Sequence, residues 1–213
     1  MAPVFRILIA LLTGVIAHAA SAAPIVLSGT IRDFCAPGIA GVCSQLSDFE
    51  GAVPGVVGNM TGTTLSGGLP TPGPNVVAGA SSAANFAQWF VDTPGVNTSK
   101  AFSLAMNETS PGTYWYSNSS FFPIDGQLFG DQGRLHNYDF TLHLQGLLSF
   151  TDPTAVADSI FTFYGDDDLW VFVDGKRVID LGGVHGVAGA AFSEETLKYL
   201  GLIAGRSYSL DIF

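Results

Sequence analysis

The apolar positions of this chain are spaced for strands far more often than for helices. Tyr138, Phe140, Leu142 and Leu144 alternate with Asp139, Thr141 and His143, which predicts a half-buried strand. Gly146 to Phe150 reads as another short strand, turned by Asp152-Pro153. Tyr208, Leu210 and Ile212 alternate with Ser209 and Asp211, and Ile25 to Phe34 reads as an opening strand broken at Gly29. The runs Ile160 to Tyr164 and Leu169 to Val173 are β-branched, aromatic or leucine throughout. Leu169, Val171 and Val173 point one way, Trp170 and Phe172 the other, so this strand is expected inside a two-layer structure. Asp174-Gly175 follows at once, then Lys176-Arg177-Val178-Ile179. Such a pair suits a type I′ hairpin turn, which needs positive φ at both central residues. Helical spacing is clear from Ser82 to Asp92, where Phe86, Trp89 and Phe90 recur at i, i+3 and i+4, Ser81 or Ser82 caps the start, and Pro94 stops it. Those three rings read as a plug facing the core. Ser193 to Tyr199 predicts one further helical turn capped by Ser193, and Gly51 to Ala80 reads as a long surface loop.

The first 22 residues change the picture of where the fold begins. Arg6 precedes an apolar stretch from Ile7 to Ala17, too short to span a bilayer as a helix, and Ala20-Ser21-Ala22 supplies small residues for a peptidase. This pattern is that of a secretory leader, and no second run of spanning length follows it. The expectation is a single domain over residues 23–213, secreted or at the cell surface, with no transmembrane segment in the mature chain.

Charge narrows the partners. Asp and Glu number 18 against 8 Lys and Arg, a formal net charge of -10, the wrong sign for a nucleic-acid surface. Hydrophobic residues at 47% rule out a disordered chain. The two cysteines, Cys35 and Cys43, enclose Pro37, Gly38 and Gly41 and are expected to form a disulfide after export.

The candidate chemistry lies at Asp166, Asp167 and Asp168, three adjacent carboxylates between two strand-like runs. No Lys or Arg lies within seven residues on either side. Repelling charges held on rigid backbone call for a counter-charge, and a hard cation with oxygen ligands, calcium above all, meets that need. An EF-hand is excluded, because the acids are contiguous and the twelfth position from Asp166 is Arg177. Trp170 is a core residue or a stacking platform beside the metal, and His185, in Leu181 to Gly186, is a turn residue or part of the ligand mouth. Asn137 is a further candidate ligand-binding residue. Tyr114, Trp115 and Tyr116 form either a strand with one wet face or a stacking surface for sugar rings. No Gly-x-Ser-x-Gly, Walker loop or His-Glu-x-x-His occurs, so the chain is not expected to be an enzyme.

GDDDLWVFVDGKRVIDLGGVHG resembles the signature of the fibro-slime domain, a branch of the PA-fourteen superfamily of β-sandwiches. TIRDF, DFE, FAQWFVDTPGVN, FFPIDGQLFG, HNYDFTLHL and the terminal SYSLDIF resemble the same family in its order. The resemblance implies an all-β fold, a two-sheet antiparallel β-sandwich with one short helix and long loops. It implies that the final strand continues beyond Phe213 and that return strands follow. It implies calcium held by Asp166 and Asp167 across a cis peptide, with sugar hydroxyls completing the coordination. The function expected is a secreted, calcium-dependent carbohydrate-binding or adhesion module, its partner a glycan or polysaccharide. A structural extracellular sandwich without glycan binding is the alternative.

Overall fold

A computed structural model describes residues 7–12, 23–36, 54–76, 81–150 and 160–213. In chain order the strands are β1 (Ile7–Leu12), β2 (Ile25–Phe34), β3 (Thr61–Ser66), β4 (Leu69–Pro72), β5 (Asn97–Ser110), β6 (Thr113–Asn118), β7 (Phe140–Ser149), β8 (Ile160–Gly165), β9 (Leu169–Val173), β10 (Lys176–Leu181), β11 (Ala188–Ser193) and β12 (Ser207–Ile212). Two short helices, α1 (Ala83–Phe86) and α2 (Glu194–Tyr199), complete the set. The strand pairings are antiparallel, in the order β11-β8-β1-β6-β5-β2-β7-β12-β9-β10-β3-β4. The expected antiparallel β-sandwich is what the chain forms.

β5 makes two layers out of this one ribbon. Asn97 to Met106 pair with β2 in one sheet, whereas Asn107 to Ser110 pair with β6 in the other. A single 14-residue strand therefore belongs to both sheets. The space between them is filled by Leu104, Leu144, Phe161, Phe163, Val171, Val173 and Phe192, all buried. A second cluster lies on the other face of β9, where Trp170 and Phe172 pack with Phe34, Phe86, Trp89, Phe90 and Phe213. Every residue of β9 is buried, as its two apolar faces predict. The Asp174-Gly175 turn has φ values of 51° and 69°, the left-handed pair that a type I′ hairpin needs.

Several expectations are corrected. β2 is not broken at Gly29; it runs unbroken against both β5 and β7, and a side chain at Gly29 would strike the His143 carbonyl. The stretch 51–80 is not merely a loop. It contains the β3–β4 hairpin, turned at Gly67-Gly68, and β3 pairs with β10. Gly146 to Phe150 is no separate strand, since β7 continues through it to Ser149. β7 has no wet face at its start: Asp139 and Thr141 are buried, and the Thr141 hydroxyl donates to the Trp89 carbonyl at 2.5 Å.

The 82–92 helix is shorter than its spacing suggests. The Ser82 hydroxyl caps α1 by accepting from Asn85 N–H, but regular helix ends at Phe86. The Asn97 amide then donates to the Gln88 and Val91 carbonyls, so a side chain from beyond the segment takes the Gln88 acceptor that a continuing helix would use. Phe86, Trp89 and Phe90 still form the buried plug. Ser193 caps α2 through a capping box with Thr196.

β12 lies inside its sheet, paired with β7 on one side and β9 on the other. Cys35 is buried just past β2, and Cys43 falls outside the described residues, as does Asp48 to Glu50. Ile7 to Leu12, within the stretch that reads as a leader, occupies the strand position between β6 and β8; residues 13–22 are outside the described set.

Candidate functional site

Asp166, Asp167 and Asp168 form the connection from β8 to β9. The chain reverses there because Asp167 takes left-handed backbone, φ 72°, a conformation that Asp tolerates better than most residues. No cis peptide occurs among the described residues, so the expected cis link between Asp166 and Asp167 is corrected to trans. The left-handed residue makes the turn instead and aims the acids at the neighbouring loop. Asp167 Oδ1 accepts the His185 N–H at 3.0 Å, and Asp168 Oδ1 accepts the Gly183 N–H at 2.6 Å. The backbone N–H of Asp167 donates to the His185 carbonyl at 3.3 Å.

The 182–185 loop is held from its other side as well. Gly55 N–H donates to the Val184 carbonyl at 2.9 Å, and Val57 N–H to the Gly182 carbonyl at 2.6 Å. A side chain at Gly182 would meet the Val57 carbonyl and the Met60 thioether, so glycine is what admits this approach. The loop is thus clamped between the 54–57 segment and the acidic connection.

The acids carry unusual electrostatics. Burial pushes the Asp168 carboxyl up to about 7, with smaller upward contributions from Asp167 and Asp180 against the Gly183 amide. Burial also raises Asp167, opposed by the His185 amide. Neither has an ion pair with Lys or Arg among the described residues; Arg177, the nearby cation in sequence, pairs with Asp180 at 3.1 Å. Among the described residues no group of three His, Cys, Asp or Glu side chains converges as a metal shell. The charge of this set fits a hard divalent cation, whereas its side chains alone do not close a coordination sphere.

Beside the acids opens a cleft of about 150 Å³. Asp166 to Asp168 and Val184 line one part, and Trp89, Tyr164, Trp170 and Phe213 are among the apolar and aromatic walls. Trp170 is 1% exposed and meets Phe86 edge-on at 6.1 Å, so it is a core ring with one side on the cleft. Its Nε1 is buried and unpartnered, and so is His185 Nε2; His185 Nδ1 lies 2.8 Å from the Gly186 carbonyl.

Asn137 lies in a different constellation. Its amide donates to Asp33 Oδ1 at 2.9 Å and to the Gly130 carbonyl at 3.1 Å, and its oxygen accepts the Asp139 N–H at 3.2 Å. Asp33 also accepts the Phe129 N–H at 2.7 Å, and burial nonetheless pushes its carboxyl up to about 6. His136 Nδ1 sits 2.5 Å from Asp125 while its ring stacks on Phe122. This network ties the 122–139 segment to β2. Trp115 is 40% exposed on β6, and Tyr114 and Tyr116 pack partly against the core.

Sequence reading missed that Trp89, Phe90 and Phe213 wall the cleft. Their helical or strand spacing pointed inward, and the cleft takes its shape where the segment after α1 and the residue after β12 meet beside β9, Phe90 against Phe213. The burial of Asp33 and the role of Asp211 were also missed, since an isolated Asp in a strand pattern carries no signal of burial.

Residues 130–213 match the PA14 domain. The match bears out the resemblance of the motifs over that part of the chain, and a PA14 domain points to a carbohydrate-binding or adhesion-type module. Curated relatives include protein psiR of Dictyostelium discoideum, 36% identical over 190 residues, covering 80% of this chain and 18% of psiR. Protein psiQ of the same organism is 35% identical over 62% of this chain and 14% of its own length, and protein psiC is 37% identical over 62% and 26%. The chain therefore spans about a quarter or less of these relatives. No solved structure matches it.

Proposed function

We propose that the acid-lipped cleft is a calcium-dependent glycan site, and that the chain is an adhesion-type module exported after loss of residues 1–22, with Cys35 and Cys43 joined. The observation that carries this reading is a pair of carboxylates, Asp167 and Asp168, raised by burial beside an aromatic cleft, with no Lys or Arg among the described residues paired to them. Such a pair is stabilised by a cation. Calcium, when bound, supplies the counter-charge and open coordination positions for vicinal hydroxyls. Asp166, Asp167 and Asp168 would hold it. The chain's own part is to place those acids by the left-handed turn, to fix the facing loop through Gly183 and His185, and to offer Trp170 and Tyr164 as apolar surface for a sugar ring.

The test is calorimetric titration of the full chain with calcium, then a glycan array with calcium and with chelator. Binding of the metal, lost in Asp167→Asn with Asp168→Asn, and glycan signals that vanish with chelator are the expected results. No heat with calcium sinks the reading.

One observation favours a second reading. Both acids already spend an oxygen on loop amides, at 3.0 and 2.6 Å, so they brace the 182–185 loop by themselves. A purely structural module would show a melting temperature that rises with calcium, or none that responds, beside a blank array.

A further inference from the structure

A bulge in β10 brings two opposite charges to one side of the strand. Arg177 and Asp180 are three positions apart, so a regular strand would turn them to opposite faces. The register shifts between Arg177 and Ile179, however, and Val178 is the extra residue. Arg177 therefore stands opposite Phe172 and Asp180 opposite Trp170, two positions on the same face of β9. Their side chains meet at 3.1 Å.

Together they fasten the chain at residues 59–61. Arg177 donates to the Thr61 carbonyl, to the Thr61 hydroxyl at 3.1 Å and to Asn59 Oδ1 at 2.9 Å. Asp180 Oδ2 accepts the Asn59 N–H at 2.7 Å. The Arg177 side chain is only 10% exposed, and its planar fork serves several acceptors at once, which an ammonium does not reproduce. The chain just before this anchor, at Gly55 and Val57, holds the 182–185 loop, and the loop amides of Gly183 and His185 hold Asp168 and Asp167. Between Leu181 and Gly186 the loop has three glycines, so it has little stiffness of its own. Each acid spends one oxygen on a loop amide, and the direction of its second oxygen is set by where that amide stands.

We propose that Arg177 is a positioning residue for the acidic connection: it anchors residues 59–61, the chain before them holds the 182–185 loop, and the loop aims Asp167 and Asp168 at a cation. The inference rests on the calcium reading above for the identity of the cation and on hydrogen bonds alone for the positioning. Its sign is distinctive. A guanidinium acting only through its charge repels calcium, so its removal would tighten binding. A guanidinium that organises the acids does the opposite, and losing an outer partner that orients metal ligands costs about 10- to 100-fold in affinity.

The test compares Arg177→Gln, Arg177→Lys and Asn59→Gly with wild type in the full chain. Calcium titration should give a dissociation constant at least about tenfold higher in Arg177→Gln. Arg177→Lys, which keeps the charge and loses the fork, should also bind more weakly. Asn59 has φ 61°, so Asn59→Gly suits the backbone while removing one acceptor of the guanidinium, and it should shift the affinity the same way by a smaller factor. It carries both measurements if Arg177→Gln does not fold. Amide exchange of the metal-free protein is the second readout: the Gly183 and His185 amides should speed up about tenfold more than those of β2 and β7. Tighter or unchanged calcium binding in Arg177→Gln overturns the proposal, as does wild-type affinity in Arg177→Lys. Loop amides that change no more than those of β2 and β7 overturn it without reference to metal. If wild type gives no heat with calcium, the calcium reading fails and the amide comparison still decides the positioning.

Discussion

Two carboxylates flank β9 and behave in opposite ways. Asp211, opposite Phe172 on β12, is 4% exposed, yet its carboxyl is held below the usual range. Burial raises it, and hydrogen bonds from His143 and Gln145, each at 2.9 Å, more than reverse the effect. Asp168, one residue before β9, has a single backbone amide and is pushed up to about 7. Burial is common to both; the partners differ. A carboxylate that the fold satisfies is structural, and one that the fold leaves short of positive charge is where a ligand has something to supply.

The largest break in this comparison should come from Asp211→Ala. It strips His143 and Gln145 of their acceptor inside the sheet, and chemical denaturation should show a loss of about 2–4 kcal/mol. Calcium affinity should stay unchanged. Asp168→Asn should do the reverse, raising stability near pH 7.5 by roughly 1–3 kcal/mol in the absence of metal, since it removes a buried charge.

The pH profile separates the two by sign. Asp168 has a folded value near 7 and an unfolded one near 3.8, so its contribution is full below the unfolded value and is lost as pH rises through about 7. Asp33 adds a similar limb near 6. Asp211 is lowered, so its contribution is present above 3.8 and is lost on acidification. Metal-free melting temperature should therefore peak on the acid side of neutrality. Asp168→Asn should remove the limb near 7 and leave the one near 6.

Calcium should sharpen the contrast further. At a hundredfold excess over its dissociation constant it should stabilise wild type by about 2.7 kcal/mol at pH 7.5, and much less at pH 5, where Asp168 is protonated. A thermal-shift series at the two pH values measures this directly. Trp115→Ala should have the smallest effect, within about 0.5 kcal/mol on stability. An unchanged glycan signal in that variant places any sugar stacking at the cleft, whereas its loss moves the sugar to the β6 face.

The β9 and β10 strands and the Asp174-Gly175 turn between them were legible, because turn chemistry and strand period are local properties; the register shift between Arg177 and Ile179 was not. The β3–β4 hairpin was not. Its Thr, Gly and Pro composition looks like a loop, and only pairing of β3 with β10 makes it sheet. The same holds for the helix that stops at Phe86, since Asn97 lies beyond the window that spacing can read.

What the residues decided by themselves is the kind of protein: an all-β sandwich with PA14-type motifs and an acidic connection at one end of its most buried strand. Alternation, turn pairs and a run of three Asp are written within a few positions of one another. Which acids are matched and which are left in want was decided only by packing. His143 and Gln145 on β7 are far along the chain from Asp211 and meet it across β7 and β12, while the amides that face Asp167 and Asp168 come from a loop clamped by the 54–57 segment. Contact between distant segments sets the local dielectric and the count of partners, and those two quantities turn identical side chains into different chemistry.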